Sequence, residues 1–110
     1  MEINEALAAF ASLSQETRLM VFRLLIEYGR DGAAAGAIAE ELNIPPNTLS
    51  FHLAHLSRAG LVTSERQGRS ITYVANTGHI QGLIQYLHTN CCTRESRTQS
   101  KSNLKKERKC

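Results

Sequence analysis

The sequence has no tryptophan, only two prolines and three cysteines, and aromatics make up 5% of its 110 residues. So few cysteines exclude a disulfide-stapled miniprotein. So few prolines and glycines exclude a collagen-like or linker-type chain. No run of about 18 apolar residues occurs, so no membrane-spanning helix is expected. Met1-Glu2-Ile3-Asn4 lacks the basic-then-apolar order of a secretory leader, which makes a cytoplasmic protein with reduced thiols the expectation. What remains is 42% apolar residues, enough for one small domain.

Charge is unevenly placed. Residues 94–110 carry seven basic residues against two acidic ones, whereas residues 1–93 carry six arginines against eight acidic residues. The body is therefore not a general polyanion binder, and any nucleic-acid affinity has to come from particular side chains or from the tail. Two units follow: residues 1–92 as the folded domain, and 93–110 as a basic tail whose composition suits a solvated, disordered end.

Hydrophobic spacing sets out the elements. Ile3, Leu7 and Phe10 make an amphipathic first helix. Ser14 is a candidate cap for a second helix over 15–28, apolar almost all round and so expected at the core, with Gly29 ending it. "GRDGAAAG" (29–36) reads as a flexible connection. Ile38 and Leu42 mark a short helix, Asn43–Pro46 a turn, and Leu49, Leu53 and Leu56 the inner face of another helix closed by Gly60. Helix, tight turn, helix is the helix-turn-helix pattern. Two strands, 61–66 and 70–75, flank Gly68 in a hairpin, and Ile80, Leu83, Ile84 and Leu87 line a last helix from 77 to about 90. The fold class is thus mainly α with a small β-hairpin wing (α+β), a winged helix-turn-helix.

The DNA-facing residues follow from the helical wheel. With the leucines inward, Asn47, Ser50, Phe51, Ala54 and Arg58 point outward, and Thr48 and His55 lie on a flank. Asn47 can pair with adenine, and Ser50 or Thr48 with bases or phosphates. Phe51 either meets a thymine methyl or, with a register shift, tucks against the body. His52 sits near the stripe, which leaves open a structural histidine or a DNA contact. Arg66 and Arg69 flank the hairpin tip and can reach phosphates or a narrow minor groove.

Over residues 5–92 the chain resembles the ArsR family of metal- and metalloid-responsive repressors. The resemblance is carried by "LSQETRLMVFRLL", by "TLSFHLAHLSRAGLVTSERQGRSITY" and by a terminal helix ending in "NCC". It implies a homodimer joined through first and last helices, here Ile3, Leu7, Phe10, Ile80, Leu83, Ile84 and Leu87. The stripes also admit packing within one protomer. It implies binding to a palindromic operator of double-stranded DNA with release by inducer, no membrane partner, no catalysis and no required cofactor. His52 falls on a position implicated in DNA contact in that family. Two known inducer layouts are missing: the segment 33–42 has neither cysteine nor histidine, and Thr77-Gly78-His79 with His88-x-x-Cys91 replaces the terminal-helix zinc pattern. Cys91 and Cys92 resemble the arsenite- and antimonite-sensing type, with Cys110 either a third ligand or a tail thiol. Soft thiolates suit soft As(III) or Sb(III). Alternatives are a zinc sensor using His88, Cys91, Cys92 and Cys110, and a redox sensor pairing Cys110 with Cys91 or Cys92. A thiol enzyme such as an arsenate reductase is disfavoured, because no glycine-rich anion loop precedes a cysteine.

Overall fold

The computed structural model describes residues 1–96. Its elements are α1 (Ile3–Leu13), α2 (Glu16–Tyr28), a 3-10 turn (Gly29–Asp31), β1 (Ala33–Ala34), α3 (Ala35–Leu42), α4 (Pro46–Arg58), β2 (Val62–Gln67), β3 (Ser70–Ala75) and α5 (Thr77–His88). This is the winged helix-turn-helix architecture. Among the described residues, no helix is long and apolar enough to cross a membrane. Cys110, expected as a third ligand, lies outside the described residues, as does most of the basic tail.

Local chemistry sets the boundaries. Gln15, not Ser14, caps α2: its Oε1 accepts the Arg18 N–H at 2.8 Å, while the Ser14 hydroxyl turns back to donate to the Ala11 carbonyl at 2.9 Å. Gly29, at φ 65°, ends α2. Asn43 ends α3 in the left-handed region at φ 56°, and Pro45-Pro46 then opens α4 with Pro46 in its first turn, where no intrahelical N–H is needed. The helix-turn-helix is therefore written in Asn43–Pro46.

The connection 29–36 is not a plain loop. Ala33 and Ala34 pair antiparallel with Tyr73 and Thr72, adding a third strand in the order β1-β3-β2. Gly32 permits this: at φ 65°, a Cβ there would lie 2.4 Å from the Tyr73 carbonyl oxygen. Alanines carry little strand signal, so the sequence pattern did not show the pairing. β2 and β3 pair in register from Val62↔Ala75 to Gln67↔Ser70. Gly68 is at φ 65° and Arg69 is not in the positive-φ region, the II′ arrangement that suits the twist of a two-residue hairpin.

The core joins Val21, Phe22 and Leu25 of α2 to Ile38, Leu49, Leu53 and Leu56, and to Leu61, Val62 and Ala75 beneath the wing. Each large aliphatic side chain buried here stabilises by about 1.5–3 kcal/mol. The expectation that α2 is buried all round fails: Leu19, Met20, Ile26 and Tyr28 are exposed, since one protomer covers only the Val21–Leu25 side. At its end, the Tyr28 hydroxyl donates to Glu41 Oε1 at 3.0 Å and ties α2 to α3.

The terminal helices divide their apolar residues between core and solvent. Ile3, Leu7, Phe10, Ile84 and Leu87 are exposed in the protomer. Leu83, expected with them, is 3% exposed and belongs to the core, and Ile80 packs half-buried against it. On α5 the stripe is wide enough to face both ways, with residue 83 turned inward.

Candidate nucleic-acid interface

The outward face of α4 carries Asn47, Thr48, Ser50, Phe51, Ala54 and Arg58, all exposed. Phe51 is 62% exposed, which settles its direction outward. Its ring meets the His52 ring edge-on, with centroids 5.7 Å apart. Arg66 near the end of β2 and Arg69 in the hairpin turn are exposed as well. Helix face and wing thus offer amide and hydroxyl groups, one large apolar ring and three guanidinium groups. Those are the kinds of group with which a recognition helix and a wing can read bases and hold phosphates. The N-terminal end of α4, where Asn47 and Thr48 are exposed, adds the partial positive charge of a helix start to it.

Two expected DNA contacts stand differently. His52 is only 9% exposed and its Nδ1 lies 3.3 Å from Nη1 of Arg18, so it is a core-side histidine and not part of the outward face. Its i+3 and i+4 offsets from Leu49 and to Leu56 place it on the buried side of the wheel. Burial, then the Arg18 charge, then His55 hold its pKa below the usual histidine value. His55 is half-buried, with Nδ1 3.1 Å from the Ser12 hydroxyl.

These histidines belong to a network that sequence reasoning missed. Arg18 Nε donates to the Ser12 carbonyl at 2.8 Å. Ser12 is fully buried, Arg18 half-buried. Arg18 therefore joins the end of α1 to α4 through Ser12 and His52, and Ser12 joins them again through His55. A signal was present: Arg18 precedes Val21, Phe22 and Leu25 by 3, 4 and 7 residues, the buried face of α2. A charge on a core-facing stripe needs a partner.

The cysteines lie past the end of α5. The helix stops at His88, and Asn90 (φ 68°) and Cys92 (φ 64°) turn the chain in the left-handed region. The expected helix to about 90 is shorter than that, so His88 shares no helix face with Cys91 and Cys92. The turns bring Cys91 Sγ and Cys92 Sγ to 3.2 Å. An S–S bond is about 2.05 Å, so these neighbours are not bonded to each other. Among the described residues, no three His, Cys, Asp or Glu side chains gather where a metal ion would fit.

The chain is similar to known regulators over most of its length. A helix-turn-helix domain model matches residues 13–65. The transcriptional repressor SdpR of Bacillus subtilis is 36% identical over 78 residues, 71% of this chain and 83% of that protein. The transcriptional activator HlyU of Vibrio cholerae is 28% identical over 94 residues, 84% of each chain. A solved form described as reduced HlyU superposes with a TM-score of 0.63 at 25% identity, covering 81% of this chain and 90% of that one. An ArsR-like transcriptional regulator from Rhodococcus sp. RHA1 superposes with a TM-score of 0.75 at 27% identity, over 93% of both chains. Fold, outward helix face and these likenesses agree: the chain belongs to the ArsR family of winged helix-turn-helix, DNA-binding transcriptional regulators, and is not an enzyme.

Proposed function

We propose that this regulator is a cytoplasmic homodimeric repressor. It occupies a palindromic operator and leaves when Cys91 and Cys92, with Cys110 as third thiolate, capture trivalent arsenic or antimony. The operator is read through Asn47, Thr48, Ser50 and Phe51, with Arg66, Arg69 and the rim residue His55 at its edges. Exposed Ile3, Leu7, Phe10, Ile84 and Leu87 supply the seam. Such a seam sets two recognition helices about 34–36 Å apart, one DNA turn.

The single observation that carries the inducer reading is the 3.2 Å between Sγ atoms of adjacent cysteines. Two soft sulfurs held this close together suit a thiophilic trivalent centre. The left-handed backbone at Cys92, unfavourable for a side-chain-bearing residue, already holds the two sulfurs together. Drawing sulfurs together beyond α5 shifts the seam helix, and a coupling of about 1–3 kcal/mol between sites is the ordinary scale for release.

A redox-responsive repressor, through pairing of Cys110 with Cys91 or Cys92, is the second reading, favoured by the exposure of Cys91 to oxidant. Operator release followed by fluorescence anisotropy separates the two. Under reductant, arsenite should release wild type, while the Cys91→Ser, Cys92→Ser double variant binds operator and stays bound. Release of that variant like wild type would place the inducer site elsewhere. Release by peroxide with indifference to arsenite would establish the redox reading instead.

A further inference from the structure

Along its outward face, α4 changes chemistry in one direction. Asn47, Phe51, Ala54 and Arg58 follow one another at four, three and four residues, all exposed. The stripe is an amide, then an apolar middle, then a cation. Phe51 is the anomaly in it. Among the described residues only Leu87, at 64%, is a more exposed large apolar side chain. Leu87, Ile3 and Leu7 lie on the terminal helices of the seam, whereas Phe51 lies on the helix that meets DNA. A protein seam at the chain ends leaves it uncovered.

The ring is also held. It sits edge-to-face on His52, and His52 is buried and tied to Arg18. A fixed aromatic pointing into the major groove meets base edges that are hydrogen-bonding groups at every pair except one apolar feature, the 5-methyl of thymine.

We propose that Phe51 is a specificity-determining residue that reads a 5-methylpyrimidine, thymine in ordinary DNA, in each half-site. Asn47, one turn earlier, reads an adenine beside it. Four residues advance about 6 Å along a helix. Base pairs rise about 3.4 Å each. The thymine read by Phe51 therefore lies about two base pairs from the adenine read by Asn47. This deepens the proposed function and rests on its DNA-binding part alone. A chain that holds its operator and ignores arsenite leaves it standing.

The test begins with duplexes selected from a random pool by the full-length protein. Each thymine of the selected site is then exchanged for uracil, which removes only the methyl group. Affinity is read by anisotropy at fixed salt for wild type and Phe51→Ala. Phe51→Ala should fold normally because the side chain is exposed, and circular dichroism checks this. In wild type, one exchange per half-site removes two methyl groups from the dimer's site and should weaken binding about fifteenfold, about fourfold for each buried methyl-sized group. Phe51→Ala should bind thymine and uracil duplexes alike. Wild-type indifference to every exchange, or a Phe51→Ala variant that keeps the penalty, would overturn the proposal. A pool that yields no preferred sequence would overturn it together with the operator reading beneath it.

Discussion

Removing the Arg18 guanidinium should cost this domain a large part of its stability. Its Nε donates to the carbonyl of fully buried Ser12 at 2.8 Å, and its Nη1 reaches His52 Nδ1 at 3.3 Å. Hydrogen bonds involving a charged group contribute about 1.5–3 kcal/mol each. Arg18 is half-buried, so water takes over part of the loss and the lower figure applies to the short bond. The longer bond adds less than 1 kcal/mol by the same scale. Arg18→Ala should therefore destabilise by about 2 kcal/mol, about 10 °C in Tm for a domain of this size. Arg18→Lys should fall between, since an ammonium cannot present the forked geometry. Thermal unfolding by circular dichroism, at one protein concentration because the Tm of the proposed dimer depends on it, gives the answer. An Arg18→Ala variant melting within about 2 °C of wild type would show that the network does not hold α1 to α4.

The other expectations are quickly stated. Because burial, Arg18 and His55 hold neutral His52 in the folded state, the unfolded chain takes its proton first as pH falls through about 6.5. Stability should then decline from there down to the lower folded-state pKa, and His52→Asn should flatten that part of a Tm-against-pH curve, whereas an unchanged slope would mean that another group titrates. Leu87→Glu should yield a folded monomer in light scattering, whereas Leu83→Ala should cost about 2–4 kcal/mol in denaturant unfolding, because residue 87 faces solvent and residue 83 the core. Arg69→Ala should weaken specific and random DNA alike and reduce the salt slope by about one unit, measured as log affinity against log salt.

The sequence by itself determined the order of elements. Spacing of Leu49, Leu53 and Leu56, the prolines before them and Gly68 between alternating stretches are local signals, and they give α4 and the wing within a residue or two. The outward direction of Asn47 and Ser50 follows from the same wheel, because a helix face is fixed by its buried neighbours. Tertiary structure alone decided the rest. Ala33 and Ala34 became a strand only because Gly32 lets them approach Tyr73 and Thr72, 40 and 38 residues away in the chain. Leu83 and Leu87 share one apolar stripe, yet packing of α5 on the body buries one and leaves the other in solvent. Spacing along α4 put His52 beside the leucine stripe, but its partner there, Arg18, comes from a different helix, and no spacing within one helix records that. The two thiols converge through left-handed turns at Asn90 and Cys92, residues whose sequence gives no glycine to announce a turn. Periodicity is written in neighbours along the chain, whereas contacts between elements depend on which surfaces meet once each helix has formed.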